Sequence, residues 1–355
     1  MNPTAAFVGK RLNKSIYNHY GVLLYPENTK LTTEQLFILE QQKIMLQEDD
    51  VDGLNSQAHY VVSRAVAEIK QFFADCRRSD TIALDHLEHD ILPLLSEAID
   101  HAQISLLLEE LQVADDPTYR HSIAVALLSM LLGRWLHLEE PELRLLMSAA
   151  VLHDIGKSKL PLELLNKPGK LTEREFEVVQ KHTVYGYEMI QRTKGLTDTH
   201  AAVALQHHER WDGSGYPHGI AGNKMHVLSR IVAVADVFHA MSSRRPYKDA
   251  LPFCEVMTEL HQSAFGKFDA LIINVFMKRM METLIGSHVL LSNQIEATIL
   301  QINTDDLVNP LVRTAGGQFL DLSKDCSVNV VKLLPSATSL VPDSRSVAKR
   351  RMPGD

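Results

Sequence analysis

Cysteine is scarce in this chain. Only Cys76, Cys254 and Cys326 occur in 355 residues, far apart and odd in number. Neither a disulfide framework nor a thiolate zinc site can be read from them, and their sparsity fits a reducing cytosol. No apolar run approaches the roughly 18 residues that a membrane helix needs, and the N-terminus has no signal-peptide pattern. A cytoplasmic chain without a membrane span is expected. Positive charge is also in deficit: 36 Lys and Arg stand against 44 Asp and Glu, a formal net charge of −8. Broad binding to duplex nucleic acid, which needs a basic face, is thereby disfavoured. Lys349, Arg350 and Arg351 are too few for a nucleic-acid arm. A small anionic ligand in a local basic pocket is still compatible with this charge.

Histidine is what the chain has in plenty, 17 in all, many near the middle. Around that middle the sequence divides into segments. Residues 1–55 read as a small mixed module, with short β-type runs in "SIYNHYGVLLYPENTKLT" followed by a helix whose Thr32 and Gln35 are spaced as a capping box. Residues 56–113 are helical. There Leu84, Leu87, Ile91, Leu94 and Ile99 form an apolar stripe that packs within the chain or serves as the seam of a homodimer. Residues 114–283 alternate helices with polar loops. Pro141 suits a first helical turn, Gly156 a helix stop, and Thr172 with Glu175 makes a second capping box. Residues 284–335 alternate apolar and polar positions between turn signals and read as a β-rich appendage. The tail, 336–355, reads as disordered.

The chemistry sits in 114–283. Leu143, Met147, Ala150 and Asp154 step by four, three and four residues, so a continuing helix would place Asp154 on a buried stripe with His153 beside it. An unpaired carboxylate there is costly, and a bound metal removes the cost. His121 opens the stripe Val125, Leu128 and Leu132. His182 follows Val178 and Val179 at helical spacing, His207 and His208 end "AAVALQHH", and Asp236 lies in "RIVAVADVF". Any one of these residues alone reads as an ordinary satisfied core histidine or helix end; the combination points to metal. Imidazole and carboxylate without thiolate suit Fe, Mn or Zn. These residues exceed the needs of one catalytic ion that keeps a position open, whereas two ions sharing Asp154 use them economically. Asp85, His86, His89 and Asp90 could chelate an ion at helical spacing, but a solvated helix face accounts for them. Lys167 and Lys170 are loop lysines that could steer phosphate.

The motifs "HDIGKSKLP", "LLNKPGKLTEREFEVVQKHTVYGYEMI", "HHERWDGSGYPHGIAG", "SRIVAVADVF" and "SSRRPYKDAL", in that order, resemble the HD-GYP branch of the HD phosphohydrolases. The resemblance implies a mainly α fold: an all-helical HD-type metal-dependent phosphohydrolase domain flanked by the small mixed and β-rich modules. It implies hydrolysis of cyclic di-GMP to linear pGpG, and onward to GMP, by a hydroxide bridging two metals. Carried over by position, one metal takes His121, His153, Asp154 and Asp236, and the other Asp154, His182, His207 and His208. Lys157 supports the hydroxide or the phosphate, and Tyr216, Arg245 and Lys248 match substrate-contacting positions. Iron and manganese are implied first, with zinc, nickel, cobalt and magnesium as alternatives. A third metal is not expected, because Pro117 stands where some members carry a glutamate, with Asp115 and Asp116 out of register. His239 replaces an aspartate of the family pattern one turn after Asp236; it reads as a helix-face residue ahead of the alternative, an outer-shell partner of the metal site. Trp211 and Tyr216 could stack on a base, with packing the favoured reading for Trp211. The turn-rich "DGSGYP" is a structural turn, a substrate lip, or a docking surface for a diguanylate cyclase domain. The alternatives to hydrolysis of cyclic di-GMP are a catalytically weak dinucleotide sensor, a phosphodiesterase for 3′,3′-cyclic GMP-AMP, and, more remotely, hydrolysis of nucleotide monophosphates.

Overall fold

In the computed structural model the described residues are 7–101, 117–243 and 253–334, apart from positions 8, 19, 21, 27, 28, 43, 45, 47–49, 52, 80, 166, 168, 265, 325 and 326. Arg245, Lys248, Asp115, Asp116, Cys326 and the tail read as disordered therefore lie outside the described residues. The chain forms two compact units, Met1–Leu251 with Glu259–Arg279, and Pro252–Thr258 with Met280–Asp355.

The first unit begins with two short antiparallel strands, β1 (Ile16–Tyr17) and β2 (Leu23–Tyr25), and helix α1 (Thr33–Gln41). Thr32 and Gln35 do form a capping box, each backbone N–H donating to the other's side chain. Leu12, Ile16, Leu31, Leu36, Leu39 and Val51 close a small core around them. Helix α2 (Gly53–Ser79) follows. Then α3 (Leu84–His86) runs through a π turn at Leu87–Ile91 into α4 (Leu92–His101). The widened turn meets Pro93, whose ring cannot sit against the carbonyl four residues back. Leu87, Ile91, Leu94 and Ile99 are buried within the chain. His86 pairs with Glu68 at 2.9 Å, and His89 Nδ1 lies 3.0 Å from the Asp85 carbonyl.

The rest of this unit is helical: α5 (Pro117–Trp135), α6 (Glu140–Leu152), a 3-10 turn (Ile155–Lys159), α7 (Leu162–Leu165), α8 (Glu173–Gln180), α9 (His182–Arg192), α10 (Asp198–Gln206) and α11 (Val227–Ser242). Helices α12 (Phe253–Ala264) and α13 (Ala270–Glu282) come after them in the chain. Helix α5 packs on α6 and α11, and α10 packs on α6 and α9. The apolar surface of α5, from Ile123 to Leu132, is buried almost all round, as a central core helix requires. Pro141 sits in the first turn of α6, and Thr172 and Glu175 cap α8 reciprocally. Gly156 does not stop the helix. Helix α6 ends at Leu152, before the histidine–aspartate pair, and Gly156 lies within the 3-10 turn.

The second unit carries a five-stranded antiparallel sheet in the order β6-β5-β4-β3-β7. Its strands are β3 (His288–Leu291), β4 (Glu296–Gln301), β5 (Leu311–Thr314), β6 (Phe319–Asp321) and β7 (Val330–Leu333). Val289, Leu291, Ala297, Ile299 and Val312 form the buried set, the period-two pattern of a one-sided sheet. Among the described residues no helix is long and apolar enough to cross a membrane.

His200 ties α10 to α6. Its Nδ1 accepts the Thr197 N–H at 3.1 Å, so Nε2 carries the proton and donates to Ser148 Oγ at 2.9 Å. Burial pushes this imidazole down to about 4, from about 6.5 for an ordinary histidine. As pH falls, the unfolded chain takes up the proton first. The stability tied to a neutral His200 is therefore intact above about 6.5 and is lost progressively toward 4. Thermal unfolding at pH 7 and pH 4.5 should show a smaller acid-induced drop in Tm for His200→Gln than for the wild type. Equal drops would remove His200 from the account.

Candidate metal centre

Separate elements converge on Asp154. His121 comes from α5, His153 and Asp154 from the end of α6, His182 from the start of α9, His207 and His208 from the end of α10, and Asp236 from α11. Because α6 stops at Leu152, Asp154 does not continue its stripe as the spacing suggested. It adopts φ −102°, ψ 9° at the head of the 3-10 turn, the bridge region that active-site residues often occupy. The side chain still points inward and is 1% exposed.

Around this carboxylate, His182 Nε2 is 3.2 Å and His207 Nε2 3.7 Å from Oδ1. His153 Nε2 is 3.3 Å and His121 Nε2 3.7 Å from Oδ2. Asp236 stands behind, 3.0 Å from His121 Nε2 and 3.6 Å from His208 Nδ1. Lys157 Nζ donates to Asp154 Oδ2. The backbone decides which way the imidazoles are protonated. His153 Nδ1 lies 2.6 Å from Ala150 O, His182 Nδ1 2.6 Å from Val179 O, and His207 Nδ1 3.0 Å from Ala204 O. A carbonyl only accepts, so each Nδ1 bears the hydrogen and each Nε2 turns a lone pair toward Asp154.

Lone pairs facing a carboxylate across such distances repel unless a cation lies between them. Consistent with this, His153 Nε2 and Asp154 Oδ1 are buried with no hydrogen-bond partner. A buried unsatisfied polar atom costs about 1–3 kcal/mol, and a coordinated ion would remove both costs. Among the described residues, the groups whose ligand atoms lie close enough to hold an ion are Asp154, His182, His207 and His208, and His121, His153 and Asp154. Asp154 belongs to both. The Asp85, His86, His89 and Asp90 cluster belongs to neither. The donor set and the orphaned atoms thus fit divalent ions.

The electrostatics prepare these groups as ligands. Burial depresses His121 and His208 and brings His207 down to about 4, so these rings are neutral near pH 7. Burial opposes the charge on Asp154, but Lys157 and His153 override it and hold the carboxyl well below its usual range. For Asp236 burial is likewise overridden, by His121 and His208. His153 is the exception: burial works against its proton, yet Asp154 beside it raises its pKa. An ion arriving there competes with that proton.

Glycines and a buried glutamate shape the surroundings. A Cβ on Gly156 would stand 1.9 Å from His182 O and 2.4 Å from Gly186 N, so the Asp154 turn lies directly against the α9 backbone. Glu209, next to the paired histidines, is fully buried and accepts the N–H of His218 and Ile220 at 2.8 and 3.1 Å. It pins the Gly-Tyr-Pro loop, and Gly215 passes so close to Glu209 that a Cβ would fall 2.4 Å from its Cα. Tyr216 consequently stacks on His208, ring centroids 4.6 Å apart. Burial and the carboxylates of Asp236 and Asp154 raise its phenol pKa. Trp211 packs beneath the Arg230 guanidinium, 5.3 Å from ring centroid to carbon.

His239 corrects the favoured helix-face reading and fits its alternative, an outer-shell partner. It is buried rather than a surface residue of its helix, and its Nδ1 lies 2.9 Å from His121 Nδ1, making it an orienting partner of a candidate ligand. Glu209 was also missed. Its signal was a carboxylate directly after two histidines, with nothing in the local pattern to mark it as buried.

With backbone atoms in its way, Gly156→Ala cannot be accommodated by rotamer changes. It should destabilise the chain by at least about 1–3 kcal/mol in urea unfolding and loosen the centre in the same variant. A variant as stable as the wild type would show that the turn can retreat.

The model of the family described as the HD domain matches residues 103–272. The chain is 34% identical over 256 residues to a cyclic di-GMP phosphodiesterase of Pseudomonas aeruginosa, covering 72% of this chain and 62% of that protein. It is 38% identical over 162 residues to a 3′3′-cGAMP-specific phosphodiesterase of Vibrio cholerae, covering 45% of this chain and 37% of that protein. It thus spans less than two thirds of the length of either relative. An HDG"Y"P protein from Bdellovibrio bacteriovorus superposes with a TM-score of 0.53 at 16% identity, over 76% of this chain and 96% of that one, a likeness of fold.

Proposed function

We propose that the chain belongs to the HD-GYP branch of the HD phosphohydrolase superfamily and that it hydrolyses cyclic di-GMP to linear pGpG, a reading supported by the matching HD-domain model and by the relatives named for that activity. The observation that carries the reading is the buried Asp154, ringed by imidazole lone pairs and left with an unsatisfied oxygen. His121, His153, Asp154 and Asp236 would hold one divalent ion, and Asp154, His182, His207 and His208 a second. Nitrogen and oxygen donors without thiolate suit iron or manganese. Ions bound there supply charge against the phosphodiester and acidify a water.

The protein's own groups do the rest. Lys157 places an ammonium, 22% exposed, at the edge of the centre beside Asp154, where it would neutralise a non-bridging phosphate oxygen. His121, His207 and His208, kept neutral by burial, stay available as ligands without a prior proton loss. The Tyr216 ring on His208 walls one side of the centre and offers a partly exposed aromatic edge to a base. Arg245 and Lys248 would grip the second phosphate or a guanine edge, a role that their motif suggests. A second reading shares this chemistry but takes 3′,3′-cyclic GMP-AMP as substrate, since relatives named for that activity are 36–38% identical over their matched lengths.

Protein purified without oxygen, loaded with Fe(II) or Mn(II), should convert cyclic di-GMP to pGpG on product chromatography. Asp154→Ala should reduce turnover by more than the roughly 10–100-fold typical of losing an outer partner of a ligand, with the helical fold retained by circular dichroism. Cleavage of 3′,3′-cyclic GMP-AMP alone would select the second reading. Both dinucleotides intact with every metal would overturn the assignment.

A further inference from the structure

The matched domain begins at residue 103, yet the turn bearing Asp154 and Lys157 is gripped from outside it. Arg77, in the last turn of α2, donates from Nη1 to Leu160 O at 3.1 Å and from Nη2 to Lys157 O at 3.3 Å. One helical turn earlier on the same face, the Phe73 ring meets Tyr119 edge-on with centroids 5.7 Å apart. Tyr119 lies on α5 two residues before His121. One face of α2 therefore touches both the turn that carries Asp154 and the helix that carries His121.

The turn needs an external hold. It spans five residues, Ile155–Lys159, and a 3-10 segment of that length has poor internal hydrogen-bond geometry. Lys157 O accepts the Leu160 N–H at 3.1 Å. Leu160 itself is extended, φ −84°, ψ 150°, so its carbonyl has left the helical ladder and faces Arg77 instead. A guanidinium is always charged and presents its donors in a planar fork, which matches two adjacent carbonyl groups. Gly156 fixes the opposite side of the same turn against α9. Asp154 and Lys157 are thus held between two anchors, and only one of them belongs to the matched domain.

We infer that Arg77 is a positioning residue for the metal centre: it clamps the Lys157–Leu160 end of the Asp154 turn and so sets how tightly the centre holds its ions. The inference rests on the reading of the cluster as a metal centre. It makes α2 part of the working site, and it gives any displacement of the N-terminal region a direct route to Asp154 and Lys157. Arg77 touches no reacting atom in this role; it acts through the turn.

The test compares the wild-type chain with Arg77→Met, Arg77→Lys and Arg78→Met. Arg78 is the control because it pairs with Asp75 on its own helix. The readout is Mn(II) affinity by competition with a chelator, with Tm recorded in parallel. Arg77→Met keeps the stem and removes the fork, and should weaken Mn(II) binding about tenfold. Arg77→Lys, able to reach one carbonyl, should recover part of the loss, while Arg78→Met should bind as the wild type does. Wild-type affinity in Arg77→Met overturns the inference. So does a loss in both Arg77 variants that merely follows a collapse of the thermal transition. If the wild type binds Mn(II) and Arg77 governs that affinity, but no dinucleotide is cleaved, the inference stands and the proposed activity falls. If the wild type binds no Mn(II), the metal reading falls and takes this inference with it.

Discussion

A single buried carboxylate organises this molecule. Asp154 is almost wholly removed from water, a condition that an ionised group tolerates only with close charge compensation. Its compensation comes from Lys157 and from the histidines around it, of which His153, His182 and His207 are each turned by a backbone carbonyl so that the free nitrogen looks inward. Two buried atoms without hydrogen-bond partners and a set of opposed lone pairs fit a site that could hold cations.

Much of the surrounding fold can be understood as holding that arrangement. Helix α6 stops one residue short of His153 so that the chain can turn Asp154 into the centre. Gly156 lets the turn press on α9, while His200 locks α10, and with it His207 and His208, to α6 through Ser148. Glu209 folds the following loop back so that Tyr216 covers His208. Two of these supports, His200 and Glu209, are buried polar groups that act through hydrogen bonds. They constrain geometry more tightly than apolar packing of the same elements would, because a hydrogen bond has a direction and a hydrophobic contact does not.

The sequence reveals a good deal of this and misses the rest for identifiable reasons. Helical spacing places His121, His182 and Asp236 on apolar faces, and titratable groups on apolar faces need partners. That argument finds the candidate ligands without knowing the fold. It fails for the path of the chain at Asp154, because periodicity assumes the helix continues, whereas α6 ends at Leu152. It fails for His239, whose burial depends on α5 crossing α11. It fails most completely for Arg77, separated by some eighty positions from the carbonyls it serves. Local patterns cannot report a contact whose partners are backbone atoms far along the chain. The capping boxes at Thr32 and Thr172 and the alternating strands near the C-terminus are legible because their determinants are local.

The most direct test of the shared carboxylate is a crystal structure of Mn(II)-loaded protein with anomalous scattering measured at the manganese edge. The expected result is two anomalous peaks roughly 3.5–4 Å apart, one on each side of the Asp154 carboxylate. One falls among His182, His207 and His208, and the other beside His121 and His153. A single peak that leaves one of these groups empty, or peaks that do not flank Asp154, would contradict the account.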